Sequence, residues 1–134
     1  MCGIFALFHL LSNKQLASKY NSIEEQYYKG RNRGPEYSTL NTINDNILFG
    51  FHRLAINGLD DKSNQPIAVD GIYLICNGEI YNYKNIYNML DISPITNSDC
   101  ESIIHLYKKY GIEYTLQMLD GVFAFALYDS NINI

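Results

Sequence analysis

A chain of 134 residues and 15.4 kDa, with 47% hydrophobic and 18% charged residues, has the composition of a single globular domain over 1–134. Its 14 acidic and 10 basic residues leave a net charge of -4, which excludes the basic excess of a nucleic-acid binder. No apolar run approaches the roughly 20 residues of a membrane-spanning helix, so neither nucleic acid nor membrane is an expected partner.

The apolar stretch from Gly3 to Leu11 has the length of a signal-peptide core but lacks a preceding basic residue and a following cleavage site. The cysteines, Cys2, Cys76 and Cys100, are odd in number and show no zinc-type spacing, so no disulfide framework or metal site is expected and a cytoplasmic location fits best.

Residues 2 to 11 read as a buried strand that starts the chain inside the core. Leu16, Tyr20, Ile23 and Tyr27 recur at helical spacing and predict a helix from Asn13 to Tyr28, broken by the Gly- and Pro-containing segment 29–36. After an Asn-Asp-Asn turn, Ile47 to Ile56 reads as a long strand with Gly50 at a bend or close approach. A polar loop runs from Asn57 to Pro66.

Ile72 to Cys76 is a short strand of the fully buried type, halted by the turn signal Asn77-Gly78. A helix is expected over Asn82–Leu90, and Ser98-Asp99-Cys100-Glu101 has the form of a capping box for another, closed by Gly111. A short helix over Glu113–Leu119 and a buried strand from Val122 to Tyr128 complete the chain. Buried strands mixed with amphipathic helices predict an α+β fold.

Several residues carry possible chemistry. Cys2 behind a lone Met1 becomes the N-terminus once the methionine is trimmed, placing an α-amine of pKa about 7.7–8.0 beside its thiol. The bland alternative is a small buried hydrophobe. Asn77-Gly78 offers a side-chain amide and an unhindered backbone N–H, the donor types of an oxyanion hole, or is simply a hairpin turn. Arg53, late in an apolar strand, needs a carboxylate partner. Asp99 in the first turn of a helix is equally at home beside the helix dipole without a ligand.

Met1-Cys2-Gly3-Ile4-Phe5, Arg33-Gly34-Pro35-Glu36, His52-Arg53-Leu54-Ala55-Ile56 and Gln65-Pro66 come in that order. They are followed by Asn77-Gly78-Glu79-Ile80-Tyr81-Asn82, Ser98-Asp99-Cys100-Glu101 and Leu119-Asp120-Gly121-Val122-Phe123-Ala124-Phe125. Together they resemble the class II, N-terminal-nucleophile glutamine amidotransferases, and among these the glutaminase domain of asparagine synthetase. The resemblance implies an αββα sandwich of the N-terminal-nucleophile hydrolases, incomplete at its C-terminus, because the family domain continues past the point where this chain stops.

It further implies that glutamine is the substrate and Cys2 the nucleophile, with Asn77 and Gly78 holding the oxyanion. Arg53, with the backbone of Ile56 and Asn57, would hold the substrate α-carboxylate, while Glu79 and Asp99 receive its ammonium. Cys76, Cys100, His52 and His105 stay structural. No cofactor is expected in this chain, since ATP and magnesium belong to a synthetase domain with a phosphate loop that the sequence lacks. The alternatives are a noncatalytic remnant that binds glutamine or a partner chain, and the glutaminase domain of another class II amidotransferase. A separate synthetase chain or C-terminal fragment is the candidate partner, and the unpaired edge of the Val122–Tyr128 strand invites self-association.

Overall fold

The strands and helices of the computed structural model, which describes residues 2–8 and 13–134 with side chains in the first helix from Ser18 onward, fall in two units, Met1–Ala55 and Ile56–Ile134. The first contains β1 (Gly3–Phe8), α1 (Asn13–Tyr28), β2 (Tyr37–Asn44) and β3 (Ile47–Arg53). They form an antiparallel three-stranded sheet of order β1-β3-β2. The apolar run of β3 is buried along its whole length at the centre of that sheet. β1, by contrast, is an edge strand whose Ala6 and Phe8 are exposed, so the chain does not begin inside the core as its apolar opening suggested. The rest of that expected strand, residues 9–11, lies outside the described residues, as does Met1.

The helix α1 keeps its predicted limits. Near its end, Tyr27 donates its hydroxyl to the carbonyls of Thr39 at 2.7 Å and Phe51 at 2.9 Å. Burial pushes this phenol up to about 12, so it stays a neutral donor. Its ring lies across Gly50, where an added Cβ would come within 2.5 Å of Tyr27 Cε2. Gly50 is therefore the expected close-approach point. The hairpin partner β2 is largely polar, and its register shifts between Thr42 and Asn44, next to the Asp45-Asn46 turn.

The second unit contains β4 (Ile67–Val69), β5 (Ile72–Ile80), α2 (Tyr83–Leu90), α3 (Glu101–Met118) and β6 (Gly121–Asp129). Its strands form a second antiparallel three-stranded sheet, β4-β5-β6. Ile72, Leu74, Cys76 and Ile80 on β5 pack with Ile86 and Leu90 of α2 and with Ile103, Ile104 and Leu106 of α3. Period-two alternation in the strand and 3.6-period faces in the helices build one apolar layer. Gly111, at φ 76° and ψ 175°, interrupts α3 where the sequence placed a helix end, and helix resumes beyond it. The two antiparallel sheets with their helices make the fold α+β.

Several expectations are corrected here. Asn77-Gly78 is not a turn: β5 runs through it to Ile80, with Asn77 opposite Ala124 and Gly78 opposite Phe123. The hairpin turn is Asp70-Gly71, both at positive φ, 50° and 80°, and it joins β5 to the short β4. A two-residue hairpin at Asn77-Gly78 would need a second apolar strand directly after it, whereas Glu79-Ile80-Tyr81-Asn82 leads into α2. Nor is β6 covered on both faces, since Val122 is 68% exposed and Ala124 is exposed. Its partner within the sheet is β5 alone among the described residues. Among the described residues no helix is long and apolar enough to cross a membrane.

Gly50→Ala forces its methyl against a Tyr27 ring anchored by hydrogen bonds, an overpacking that costs about 1–3 kcal/mol. Chemical denaturation should show that loss; unchanged stability would mean the ring moves freely.

Candidate active site

In the first unit the end of β3 is held by the segment Arg33-Gly34-Pro35-Glu36. Gly34 lies so close to β3 that a Cβ would come within 2.2 Å of the His52 carbonyl oxygen. Beyond it, the Glu36 N–H donates to the Arg53 carbonyl at 3.2 Å, and the Glu36 carboxylate accepts the Ala55 N–H at 2.8 Å. Leu54 N–H turns to the Cys2 sulfur at 3.4 Å, and that thiol lies 3.3 Å from the Leu54 carbonyl. These side-chain acceptors explain why β3 stops at Arg53 and not at Ile56. Arg33 Nε donates to the Cys2 carbonyl at 3.3 Å. The same loop thus fixes Cys2 and the buried Arg53, which is 7% exposed, within one local frame.

His52 is consumed by this frame. Its Nε2 lies 3.0 Å from the Tyr27 carbonyl, which can only accept, and its Nδ1 lies 2.8 Å from the Ser38 hydroxyl. The buried ring stacks on Tyr27 with centroids 4.1 Å apart. A neutral imidazole protonated on Nε2 satisfies both contacts.

In the second unit Gly78 and Asp99 meet at one edge of β5. Successive strand residues turn their N–H and C=O to opposite edges. Gly71 C=O and Tyr81 N–H face β6, through bonds with Ser130 and Asp120, so the odd-numbered residues between them face β6 as well. The even-numbered ones face away. Of these, Ile72 and Leu74 stand opposite β4. Cys76 gives its N–H to Gln65 Oε1 at 2.5 Å and its carbonyl to Gln65 Nε2 at 3.1 Å. Ile80 gives its N–H to Asp99 Oδ2 at 2.6 Å. Gly78 lies between them with its amide on this open edge, where no strand pairs with it among the described residues. On its other side an added Cβ would come within 2.4 Å of the Val122 carbonyl oxygen, so close strand approach requires glycine. Asn77 is half-buried and Glu79 exposed.

Asp99 is buried. Burial raises its carboxyl above the ordinary value, nearby Glu79 adds to the rise, and hydrogen bonds from Ile80 and Asn57 oppose it. Asn57 and Ile56, both exposed, open this unit. The loop carrying Asn57 is tied to the loop before α3 by Asp60, which bonds Ser63 and Asn97. Gly58 at φ +61° permits this approach, since a Cβ would come within 2.2 Å of Ser63 Oγ.

The predicted capping box does not form. Glu101 reaches instead to Ile95 N at 2.9 Å, Thr96 N at 2.7 Å, Thr96 Oγ1 at 2.6 Å and His105 Nε2 at 2.9 Å. Ser98 gives its N–H to Thr96 Oγ1 and accepts Cys100 N–H. A fully buried carboxylate with these donors organises the loop that presents Asp99. Burial alone would raise the Glu101 carboxyl, but hydrogen bonds from His105 and Thr96 outweigh it and leave it lowered. Both His52 and His105 thus have structural partners. Cys76 and Cys100 are buried in the apolar layer.

Sequence reasoning gave no role to Gln65, Glu36 or Thr96. Gln65-Pro66 and Arg33-Gly34-Pro35-Glu36 stand among the strings that carry the resemblance, but the strings alone do not show what Gln65 and Glu36 hold.

A sequence model of the glutamine amidotransferase domain matches residues 1–133, and the chain belongs to that family. It is 42% identical over 97% of its length to the glutamine-hydrolysing asparagine synthetases of Mesocricetus auratus, Homo sapiens and Gallus gallus. The chain spans 23% of the length of each of these relatives.

Glu101→Gln should weaken the loop before α3, most at neutral pH. Because the folded carboxyl is lowered below its ordinary 4.5, its charge stabilises the fold above that pH and the gain is lost as pH falls through the folded value. Denaturation curves of the two proteins should converge in acid; a difference that grows in acid would contradict the assignment.

Proposed function

We propose that this chain hydrolyses glutamine to glutamate and ammonia through a thioester on Cys2. What supports the reading is the outward amide of Gly78 flanked by Asp99, in a chain matched by the glutamine amidotransferase model over 1–133. With Met1 removed, the free amine of Cys2 takes the thiol proton as sulfur attacks the carboxamide carbon. The tetrahedral oxyanion is held by the Gly78 N–H and the Asn77 side chain, one such donor contributing about 2.7–4 kcal/mol. The amine then protonates the leaving nitrogen, ammonia departs, and water cleaves the thioester to give glutamate and regenerate the thiol.

Arg53 is proposed to clamp the α-carboxylate as a planar fork, beside the backbone of Ile56 and Asn57. Glu79 and Asp99 receive the α-ammonium, so each substrate charge meets its opposite. The relatives' name couples glutamine hydrolysis to asparagine synthesis. By analogy with these relatives the ammonia would supply an amide-forming step of a synthetase, to which ATP and magnesium would belong. A separate synthetase chain or a C-terminal fragment is the partner this implies, and a reducing cytoplasm suits a free Cys2 thiol.

A diazoketone analogue of glutamine should add once, at Cys2 of a chain lacking Met1, by intact mass and peptide mapping. Labelling of Cys76 or Cys100 would refute the assignment. Arg53→Lys should raise KM with kcat nearly unchanged, whereas Asn77→Ala should lower kcat by about 10²–10³-fold. The reverse pattern would exchange their roles.

The raised Asp99 carboxyl predicts a pH dependence of binding. The ammonium favours ionised Asp99, so glutamine KM should rise as pH falls through the raised value, and Asp99→Asn should abolish that acid limb. A wild-type KM indifferent to acid would remove Asp99 from the ammonium site.

A further inference from the structure

We propose that Gln65 is a positioning residue whose side chain ends the β4–β5 ladder so that the Gly78 amide is left for the reaction oxyanion; the inference rests on the glutaminase reading above. β4 pairs with β5 through Val69 opposite Ile72 and Ile67 opposite Leu74. Continued in that register, the backbone of Gln65 would stand opposite Cys76, and that of Ser63 opposite Gly78. A carbonyl at the second position would accept the Gly78 N–H and close the edge.

The chain takes another course. Beyond Ile67 the backbone leaves the ladder, and Ser63 is drawn into a 3₁₀ turn where Asp60 accepts both its N–H and its hydroxyl. The amide of Gln65 replaces a peptide group opposite Cys76, giving one acceptor and one donor in the plane a strand would have used. It is buried, and its two bonds fix β5 two residues before Gly78, while Asp99 fixes it two residues after. The strand is held on both sides of Gly78 without its own amide being used among the described residues. Glutamine suits this position, because a carboxylate would set an oxygen against the Cys76 carbonyl, and an aliphatic side chain would leave two buried backbone groups unsatisfied.

The test measures kcat and KM for glutamine in Gln65→Glu, together with the affinity for glutamate γ-semialdehyde, whose aldehyde adds to a thiol to give a tetrahedral oxygen. A thermal unfolding curve verifies the fold. Displacement of the Gly78 amide should lower kcat about tenfold or more, up to the 10²–10³ expected for a lost oxyanion donor. KM should stay within about twofold, and the aldehyde should bind more weakly by a factor comparable to the loss in kcat. Gln65→Asn, one methylene short of Cys76, should show the same split and serves if the Glu variant does not fold. Unchanged kcat in a folded variant, or a loss confined to KM, overturns the inference. Failure of both variants to fold would assign Gln65 to folding alone and also overturns it. A wild-type chain that neither releases glutamate nor takes up the aldehyde at Cys2 overturns the glutaminase reading, and this inference with it.

Discussion

The second unit depends on the alternation of an extended strand. Each residue of β5 can give its backbone groups to one edge only, so a strand bound to β6 through its odd-numbered residues must present Gly78 to the other edge, between Cys76 and Ile80. Everything around that edge is arranged to stop short of it. Gln65 covers Cys76, Asp99 covers Ile80, and neither interaction uses Gly78. An exposed strand edge is ordinarily a liability. Here, among the described residues, its unpaired length is reduced to Gly78, whose amide is the one proposed to hold the oxyanion.

In the first unit, backbone proximity has the same organising effect. Gly34 comes close enough to the carbonyl of His52 that no side chain fits, and this contact brings Glu36 to the ladder's end and Arg33 to Cys2. The Cys2 thiol and a buried guanidinium thus sit at strand ends that one loop holds. Buried His52 contributes by joining α1, β2 and β3 through Tyr27 and Ser38.

The helices α1 and α2 and the break at Gly111 were legible from spacing and glycine alone, because amphipathic periodicity is local. β1, β3 and β6 were legible as apolar runs, but the exposure of β1 and β6 was not. An apolar strand says nothing about which of its faces is covered, and β1 and β6 each have exposed residues. β2 and β4 went unrecognised, one because its side chains are largely polar and the other because three residues give too short a pattern. At Asn77-Gly78 a strong local turn signal gave way to pairing with β6, a strand distant in sequence. The candidate site was readable as motifs, since Cys2, Arg53, Asn77, Gly78 and Asp99 stand in recognisable strings. The supports were not, because Gln65 against Cys76 and Glu101 against Thr96 are meetings that only the tertiary fold creates.

The claim that Gly78 alone, among the described residues, turns an unused amide to the open edge is tested most directly by residue-resolved amide hydrogen exchange on the free chain and on its aldehyde adduct. Asn77 and Glu79, whose amides point into β6, should be strongly protected in both states. Gly78 should exchange rapidly in the free protein and become protected when the tetrahedral oxygen forms at Cys2. A Gly78 amide as protected as its neighbours in the free chain, or one that the adduct leaves unchanged, would contradict the account.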